Sequence, residues 1–353
     1  MNQLFAERLR SARVMNGLSL QDLADRIANR VSRQSLHKYE KGLAMPDSET
    51  LGLLCQALGV RPDYFNREVV VDLGEINFRK LNKCPVKEQH SIVERTREIL
   101  SRYIELEELA NVDDEFVNPI QHTNINGVDD IEAIAEQLRE CWHLCGKAIP
   151  NVIEMLEDNH VKVIEIEAGE EFDGLQTWIK KNSSMPVIVL NTSRLKSKDR
   201  KRFTALHELG HLLLPLEGVS EKMAEKYCHT FAGAMLFPRK AAEKELGKNR
   251  SKLSIHELGI IKQQYGISIQ AIVYRAYNLN IISESYKNYF FKYINEMGWK
   301  VEEPFALEGK EIPVRFDQLL YRSLSEELIS MSKAAALKNM TFSEFRTKML
   351  TAG

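Results

Sequence analysis

The chain has 353 residues, of which 44% are hydrophobic and 28% are charged, a composition typical of a globular protein with two or three domains. Its formal net charge of −2 excludes a protein that binds nucleic acid through bulk positive charge, so any nucleic-acid site must be local. No uncharged run approaches the roughly 18 residues of a membrane span, and residues 1–8 contain no apolar signal core.

The cysteines are odd in number and scattered along the chain: Cys55, Cys84, Cys141, Cys145 and Cys228. Such a set is typical of reduced thiols and not of a disulfide framework. We therefore expect a cytoplasmic protein that has no membrane partner.

Residues 1–68 predict a domain of short helices with clear start and stop signals. Ser19 is placed to cap a second helix and Ser32 to cap a third, which Gly42 ends. A fourth helix opens at Pro46. Two short helices across a tight turn, the second of them polar and capped, form a helix-turn-helix.

The third helix begins with polar side chains that face outward, where base edges would be contacted: Arg33, Gln34, Ser35 and Lys38. Arginine and glutamine supply bidentate hydrogen bonds in the major groove. Gln21, at the start of the second helix, could offer its amide and a helix N-terminus to a phosphate, and Arg10 and Arg13 are further phosphate candidates. We expect double-stranded DNA, an operator, as a partner.

The segment LSLQDLADRI…VSRQSLHKYEKGLAMPDSETLGLLCQALGVRPDYF resembles the lambda-repressor-like (Cro/XRE) helix-turn-helix family along its whole length. The Tyr-Glu-x-Gly end of the recognition helix and the proline before the fourth helix both match. The resemblance implies a DNA-binding domain of a kind that usually acts as a dimer, so we expect a homodimer.

Residues 69–127 predict a connector. Val86–Leu109 forms one long charged helix with an apolar stripe, which is either a spacer or pairing surface, or a helix packed on its own protein. Residues 113–127 are polar and contain Asn118-Pro119, which predicts a linker to the next domain.

Residues 128–283 predict a second domain with a small sheet. An amphipathic helix at 129–145 precedes three strands, at 161–166, 175–179 and 187–190, which we expect to be antiparallel. In that helix His143 would point away from Cys141 and Cys145. We therefore expect the two cysteines to be small core residues and not metal ligands.

The sequence His207-Glu208-Leu209-Gly210-His211 follows the strands inside an apolar helical pattern. Positions i and i+4 share a helix face, so His207 and His211 can bind one Zn²⁺, and Glu208 can take a proton from a metal-bound water. Two ordinary histidines on a partly buried helix are the alternative. Gly210 is a poor helix former unless something packs against its backbone.

A catalytic zinc needs three protein ligands and one open position. The next helix offers Glu225 and His229, one turn apart. We predict Glu225 as the third ligand, with His229 orienting a ligand or the substrate; the reverse assignment stays open.

MPVIVLNTSRLKSKDRKRFTALHELGHLLL followed by EKYCHTFAGAMLFP is similar to the ImmA/IrrE-type zinc metallopeptidases, over about residues 129–280. Many members carry Asn or Asp where this chain has His229, which leaves the third ligand open. The resemblance implies hydrolysis by zinc-bound water of one site in a regulatory protein, often a repressor. Several members act in stress response or in control of mobile elements.

Residues 284–353 predict a helical C-terminal region. Its aromatic cluster, around Tyr289 to Tyr293, could stack on bases, although a core beneath a helix is the more common use. Thr341 and Glu344 have the spacing of a capping box before a last helix. We expect a sensing or dimer-facing unit.

Together these patterns predict an α+β, mostly helical chain: an all-α helix-turn-helix domain, a zincin-like domain with a small sheet, and a helical C-terminal region. Three functions follow. The chain is a DNA-tethered zinc endopeptidase that cleaves itself or a partner repressor on a signal, a non-enzymatic regulator that senses metal, effector or partner, or an antitoxin-like autoregulator. The intact Glu208 favours the first, because binding alone would not need it.

Overall fold

The computed structural model describes residues 2–68, 71–74, 84–112, 115–120, 124–180 and 184–351. The chain divides into two compact units. Unit 1 comprises Met1–Leu73, Phe78–Asp114 and Val314–Gly353, and unit 2 comprises Gly74–Asn77 and Glu115–Pro313. Parts of the predicted connector and linker, at 69–70, 75–83, 113–114 and 121–123, lie outside the described residues.

The predicted fold class, α+β and mostly helical, is confirmed. The first part of unit 1 contains α1 (Asn2–Met15), α2 (Leu20–Arg26), α3 (Arg33–Glu40), α4 (Ser48–Leu58), a 3-10 helix (Pro62–Asn66), β1 (Asp72–Leu73) and α5 (Val86–Leu109). Unit 2 contains α6 (Val128–Cys141), α7 (Val152–Asp158), β2 (Lys162–Ile166), β3 (Gly174–Lys180), β4 (Ser184–Asn191), α8 (Lys198–Leu213), α9 (Glu221–Leu236), α10 (Arg239–Leu246), α11 (Ile255–Tyr265), α12 (Ile269–Asn278) and α13 (Glu284–Glu296). Unit 1 resumes with α14 (Arg315–Ser325), α15 (Met331–Leu337) and α16 (Phe342–Thr351). Within the described ranges, no helix has both the length and the apolar character needed to cross a membrane.

The predicted helix signals act as hydrogen-bonded caps. Ser19 Oγ accepts the amide of Asp22 at 3.0 Å, and the Asp22 carboxylate accepts the amide of Ser19 at 2.7 Å. At the start of α3, Ser32 Oγ accepts the amide of Ser35 at 3.1 Å. The pKa of Asp22 is lowered to about 2, and the largest cause is the hydrogen bond that its carboxylate accepts from the Ser19 amide. The first turns of α2 and α3, the two helices of the helix-turn-helix, are therefore both fixed by local contacts.

Unit 1 closes its core around α5, which packs against α1 and against α14 and α15. The helix is thus packed on its own protein, one of the two alternatives expected for it. Arg8 of α1 is 2% exposed and binds the Glu98 carboxylate of α5 at 3.0 Å. On the C-terminal side, Arg102 donates to the carbonyl of Leu337 at 3.0 Å. The C-terminal helices are therefore part of the body that holds the helix-turn-helix.

The sheet of unit 2 is mixed, and the expectation of an antiparallel sheet is wrong for one pair. In the strand order β3-β4-β2, β3 runs antiparallel to β4 while β2 runs parallel to it. Val189 of β4 faces Leu175 on one side and Ile164 on the other. Alternation of apolar residues reports which face of a strand is buried but carries no information on partner direction.

The expectation that Cys141 and Cys145 are core residues is wrong, because both are exposed. α6 ends at Cys141, and His143 and Cys145 then take left-handed backbone angles, with φ of 55° and 48°. The predicted helix would have continued through these positions. In α13 the aromatic cluster is divided, because Phe290 is buried in the core while Tyr289 is exposed.

A core substitution in α3 tests whether the helix-turn-helix is held by its apolar packing. Leu36 is fully buried, so Leu36→Ala should lower the free energy of unfolding by about 2–5 kcal/mol, measured by urea denaturation. The matched control is Leu43→Ala, since Leu43 is 75% exposed and should change stability by less than about 0.5 kcal/mol. Equal effects of the two substitutions would contradict this account of the core.

Candidate metal centre

The site is built where α8 packs against α9. At Gly210 of α8 an added Cβ atom would lie 3.2 Å from Cδ1 of Phe231 and 3.3 Å from Cα of Cys228, both on α9. A side chain at this position would require the neighbouring atoms of α9 to move by a few tenths of an ångström. The glycine that weakens the helical pattern of the sequence is therefore a point of close approach between the two helices.

This approach brings three side chains together. Nε2 of His207 lies 3.2 Å from Nε2 of His211 and 3.2 Å from a carboxylate oxygen of Glu225. The other carboxylate oxygen of Glu225 lies 3.1 Å from Nε2 of His211. Zinc bonds of about 2.0–2.2 Å in tetrahedral geometry separate neighbouring ligand atoms by about 3.3 Å. The donor set and its spacing therefore fit Zn²⁺.

His229 lies beside these donors. Its ring centroid is 4.4 Å from that of His207, and one donor atom each of His207, Glu225 and His229 lie within 4.8 Å of one another. Two overlapping sets of three donors therefore share His207 and Glu225. The set that contains His211 has spacings of 3.1–3.2 Å, close to those of ligands on one zinc ion, and we favour it for that reason.

The electrostatics of the site favour a charged carboxylate at Glu225. Hydrogen bonds from His207, and next from His211, hold the pKa of the Glu225 carboxyl well below its usual range. An ionised carboxylate beside two imidazoles is a donor set that divalent zinc accepts. Nδ1 of His207, by contrast, is buried without a hydrogen-bond partner among the described residues.

Glu208 is 3% exposed and lies against the start of β3. A Cβ atom at Gly174 would lie 3.4 Å from Cγ of Glu208 and 3.2 Å from Cγ2 of Thr204. Gly174 thus lets the β3 backbone approach the helix that carries the motif. The role of Gly174 was not predicted from the sequence, where its one signal is a glycine at the start of a strand.

Asn191, at the end of β4, fixes the loop that leads into Gly174. Its side-chain amide is fully buried and donates to the carbonyls of Gly169 and Phe172, at 2.8 and 2.9 Å. Its oxygen accepts the amide of Ala168 at 3.2 Å. These bonds hold residues 168–172 in one conformation and set where β3 begins relative to Glu208.

In unit 1 the predicted DNA-contacting residues differ in their solvent exposure and in whether their side chains already make hydrogen bonds within the protein. Arg33, Gln34 and Lys38 are exposed on α3. Ser35 is half-buried and its hydroxyl shares a hydrogen bond with Ser32 at 3.0 Å. The Gln21 amide donates to the Asp25 carboxylate at 2.9 Å.

Arg13, a further phosphate candidate, is engaged within the domain. Its guanidinium donates to both carboxylate oxygens of Glu40, at 2.6 and 2.9 Å, and to the carbonyl of Leu18 at 2.7 Å. This side chain therefore joins α1 to the end of α3. Its charge is already paired, which leaves the exposed face of α3 as the clearer polar surface.

Comparison with known proteins confirms both resemblances that the sequence showed. Residues 9–65 match a family described as helix-turn-helix, and residues 157–277 match a peptidase family described as IrrE N-terminal-like domain. A curated relative from Bacillus subtilis (strain 168), the SPbeta prophage-derived HTH-type transcriptional regulator YonR, is 40% identical over 75 residues. The match covers 21% of this chain and 68% of the relative. The chain therefore belongs to the helix-turn-helix family through its N-terminal segment, and it joins this segment to an IrrE N-terminal-like domain.

Proposed function

We propose that the chain is a DNA-binding transcriptional regulator whose unit 2 is a zinc metalloendopeptidase. It cleaves a regulatory protein, either itself or a partner repressor, in response to a signal. The observation that carries this proposal is the convergence of His207, His211 and Glu225 within 3.2 Å, beside the buried Glu208. The helix-turn-helix family and the regulator named among its relatives support the DNA-binding half.

Each residue of the site has its own role in the proposed peptide hydrolysis. His207, His211 and Glu225 would hold Zn²⁺, which when bound acts as a Lewis acid toward water and the scissile carbonyl. Glu208 takes the proton of the attacking water and passes it to the leaving amine. Asn191 and Gly174 keep the β3 backbone against Glu208, so that the carboxylate stays in place between the two proton transfers.

A second function is favoured by one observation. Histidines that bind a catalytic zinc usually donate their other ring nitrogen to a carboxylate or carbonyl, whereas Nδ1 of His207 has no such partner among the described residues. A regulator that only senses metal, effector or partner needs the metal-binding atoms, but it does not need a histidine whose second ring nitrogen is held by a carboxylate or carbonyl. In that case unit 2 would bind zinc without cutting any protein.

Metal analysis of single variants tests the donor set. His207→Ala and Glu225→Gln should each abolish stoichiometric zinc binding in equilibrium dialysis, because each removes a donor from the closely spaced set. His229→Gln should retain zinc, with an affinity loss of at most about 10–100-fold. Glu217→Gln, an exposed carboxylate between α8 and α9, is the control and should bind like the wild type. Zinc retained in Glu225→Gln but lost in His229→Gln would reverse the third-ligand assignment.

Substitution of the proton carrier tests the enzymatic half. Wild type and Glu208→Gln are incubated with zinc, DNA and cell extract, and protein fragments are identified by mass spectrometry. Glu208→Gln should cut about 10²–10⁴-fold more slowly, because it cannot accept a proton, yet should keep its zinc. Equal fragment patterns, or no fragments from either protein, would leave the non-enzymatic regulator as the function of unit 2.

Two substitutions in α3 test the DNA-binding half. Arg33→Ala and Gln34→Ala should each weaken specific binding by about 1–3 kcal/mol, because each removes a bidentate contact to a base. The measurement is the dissociation constant for a duplex that the wild type selects from a random pool. Gln264→Ala, an exposed glutamine of α11, should not change it. Unchanged binding by both α3 variants would show that another surface contacts the bases.

A further inference from the structure

Residues 303–311, which we call the strap, link α13 to the last part of unit 1 without helix or strand. Two acidic side chains of the strap are buried, Glu303 at 6% and Glu311 at 4% side-chain exposure. The neighbouring acids Glu302 and Glu308 are exposed. Because burying a carboxylate is costly unless it is paired, the two buried acids mark where the strap is fastened.

Glu311 is fastened to two helices of unit 2. Its carboxylate accepts the backbone amides of Val152 and Ile153, at 3.0 and 3.2 Å, in the first turn of α7. It also pairs with the guanidinium of Arg202 on α8. Arg202 itself donates to the carbonyl of Gly266 at 3.0 Å. One buried ion pair thus joins the strap, α7 and the metal-binding helix.

Glu303 makes an equivalent attachment at the other end of the strap. It accepts the amides of Ile269 and Gln270, at 2.7 and 3.0 Å, in the first turn of α12. It also pairs at 2.9 Å with the ammonium of Lys262, which lies 2.8 Å from Asp199 of α8. Both ends of the strap therefore reach the first two turns of α8, one directly and one through Lys262.

Between these ends the strap is held against its backbone preference. Phe305 has a φ of 60°, a left-handed conformation that is unfavourable for a phenylalanine. Its ring packs against Gly259 of α11, and a Cβ atom added at Gly259 would lie 2.6 Å from Cδ2 of Phe305. Gln263 donates to the carbonyls of Phe305 and Ala306, at 3.0 and 2.9 Å. Contacts with α11 thus offset the strain in the strap.

The strap leads into the last of the places where the chain passes between the two units. It continues through Pro313 to Val314, where the chain re-enters unit 1, the unit that holds the helix-turn-helix. On the other side, Arg202 precedes His207 by five residues on α8, about 7.5 Å along the helix axis. A displacement of the strap therefore acts on the rigid element that carries His207, Glu208 and His211.

We propose that the strap couples the DNA-binding unit to the metal centre. Glu303 and Glu311 are positioning residues, which set the place of α8 and through it the spacing of the metal donors. A change in unit 1 on DNA binding is transmitted at Val314 and alters zinc affinity. By thermodynamic linkage, zinc alters DNA affinity by the same factor. The inference rests on the zinc and DNA binding proposed above, and not on proteolysis.

The test measures zinc affinity by competition with a chromogenic chelator, with and without a saturating duplex that the wild type selects from a random pool. In the wild type the two zinc dissociation constants should differ by about fivefold or more. Glu303→Gln and Glu311→Gln should bring their ratio toward one. Glu302→Gln and Glu308→Gln make the same charge change on exposed side chains and should keep the wild-type ratio.

A second variant keeps the test decisive if removal of a buried carboxylate unfolds unit 2. Insertion of Gly-Ser-Gly-Ser between Ile312 and Pro313 leaves the carboxylates of Glu303 and Glu311 in place, but it makes the connection from the strap to Val314 longer and more flexible. The ratio should fall to one, while zinc affinity without DNA stays at the wild-type value. The same insertion between the exposed Lys248 and Asn249 should leave the ratio unchanged.

The possible results distinguish a failure of the proposed coupling from a failure of the proposed zinc and DNA binding. A wild-type ratio of one, or an undiminished ratio after the insertion at 312, would overturn the coupling while leaving zinc and DNA binding intact. A purely structural role of Glu311 would lower zinc affinity in Glu311→Gln but would not move the ratio in the insertion variant. A wild type that binds no zinc would overturn the metal centre as well.

Discussion

The packing of α8 on α9 at Gly210 is the constraint on which the candidate site depends. Glycine inside a helix costs about 1 kcal/mol relative to alanine, so local propensity opposes it here. The cost is offset because a residue without a side chain lets Phe231 and Cys228 approach the α8 backbone closely. The same approach sets the 3.1–3.2 Å spacings between Glu225 and the two histidines. Buried ion pairs at Asp199 and Arg202 then fix the other end of α8.

The core of unit 1 is assembled from segments that are distant in the sequence. Arg8 ties α1 to α5 through Glu98, and it also donates to the carbonyls of Arg67 and Glu68, at 2.6 and 2.9 Å. A second contact between distant segments is made by Arg61, which donates to the carbonyl of Met340 at 2.6 Å. The helix-turn-helix is thus one part of a larger body, which also includes the long helix and the C-terminal helices.

Local signals in the sequence predicted local structure well. The caps at Ser19 and Ser32 and the capping box of Thr341 and Glu344 form as expected, because each involves residues three apart. The i, i+4 spacing likewise placed His207 and His211 on one face. Prediction was poorer where contacts join distant segments: the direction of β2, the approach of Gly174 to Glu208, and the return of residues 314–351 to unit 1. Hydrophobic periodicity records that a face is buried but not which segment covers it.

The insertion of unit 2 into unit 1 has a consequence for the integrity of the chain. While the chain is continuous, α14 to α16 meet α5 as parts of one molecule, at a high effective concentration. A single break anywhere between residues 115 and 313 would turn this folding contact into an association between two fragments, weakened by dilution. The Leu106, Leu320 and Phe345 core beneath the C-terminal helices could then open, because nothing covalent would hold its two halves together. The order of segments along the chain thus makes the completeness of the DNA-binding unit dependent on an uncut polypeptide elsewhere.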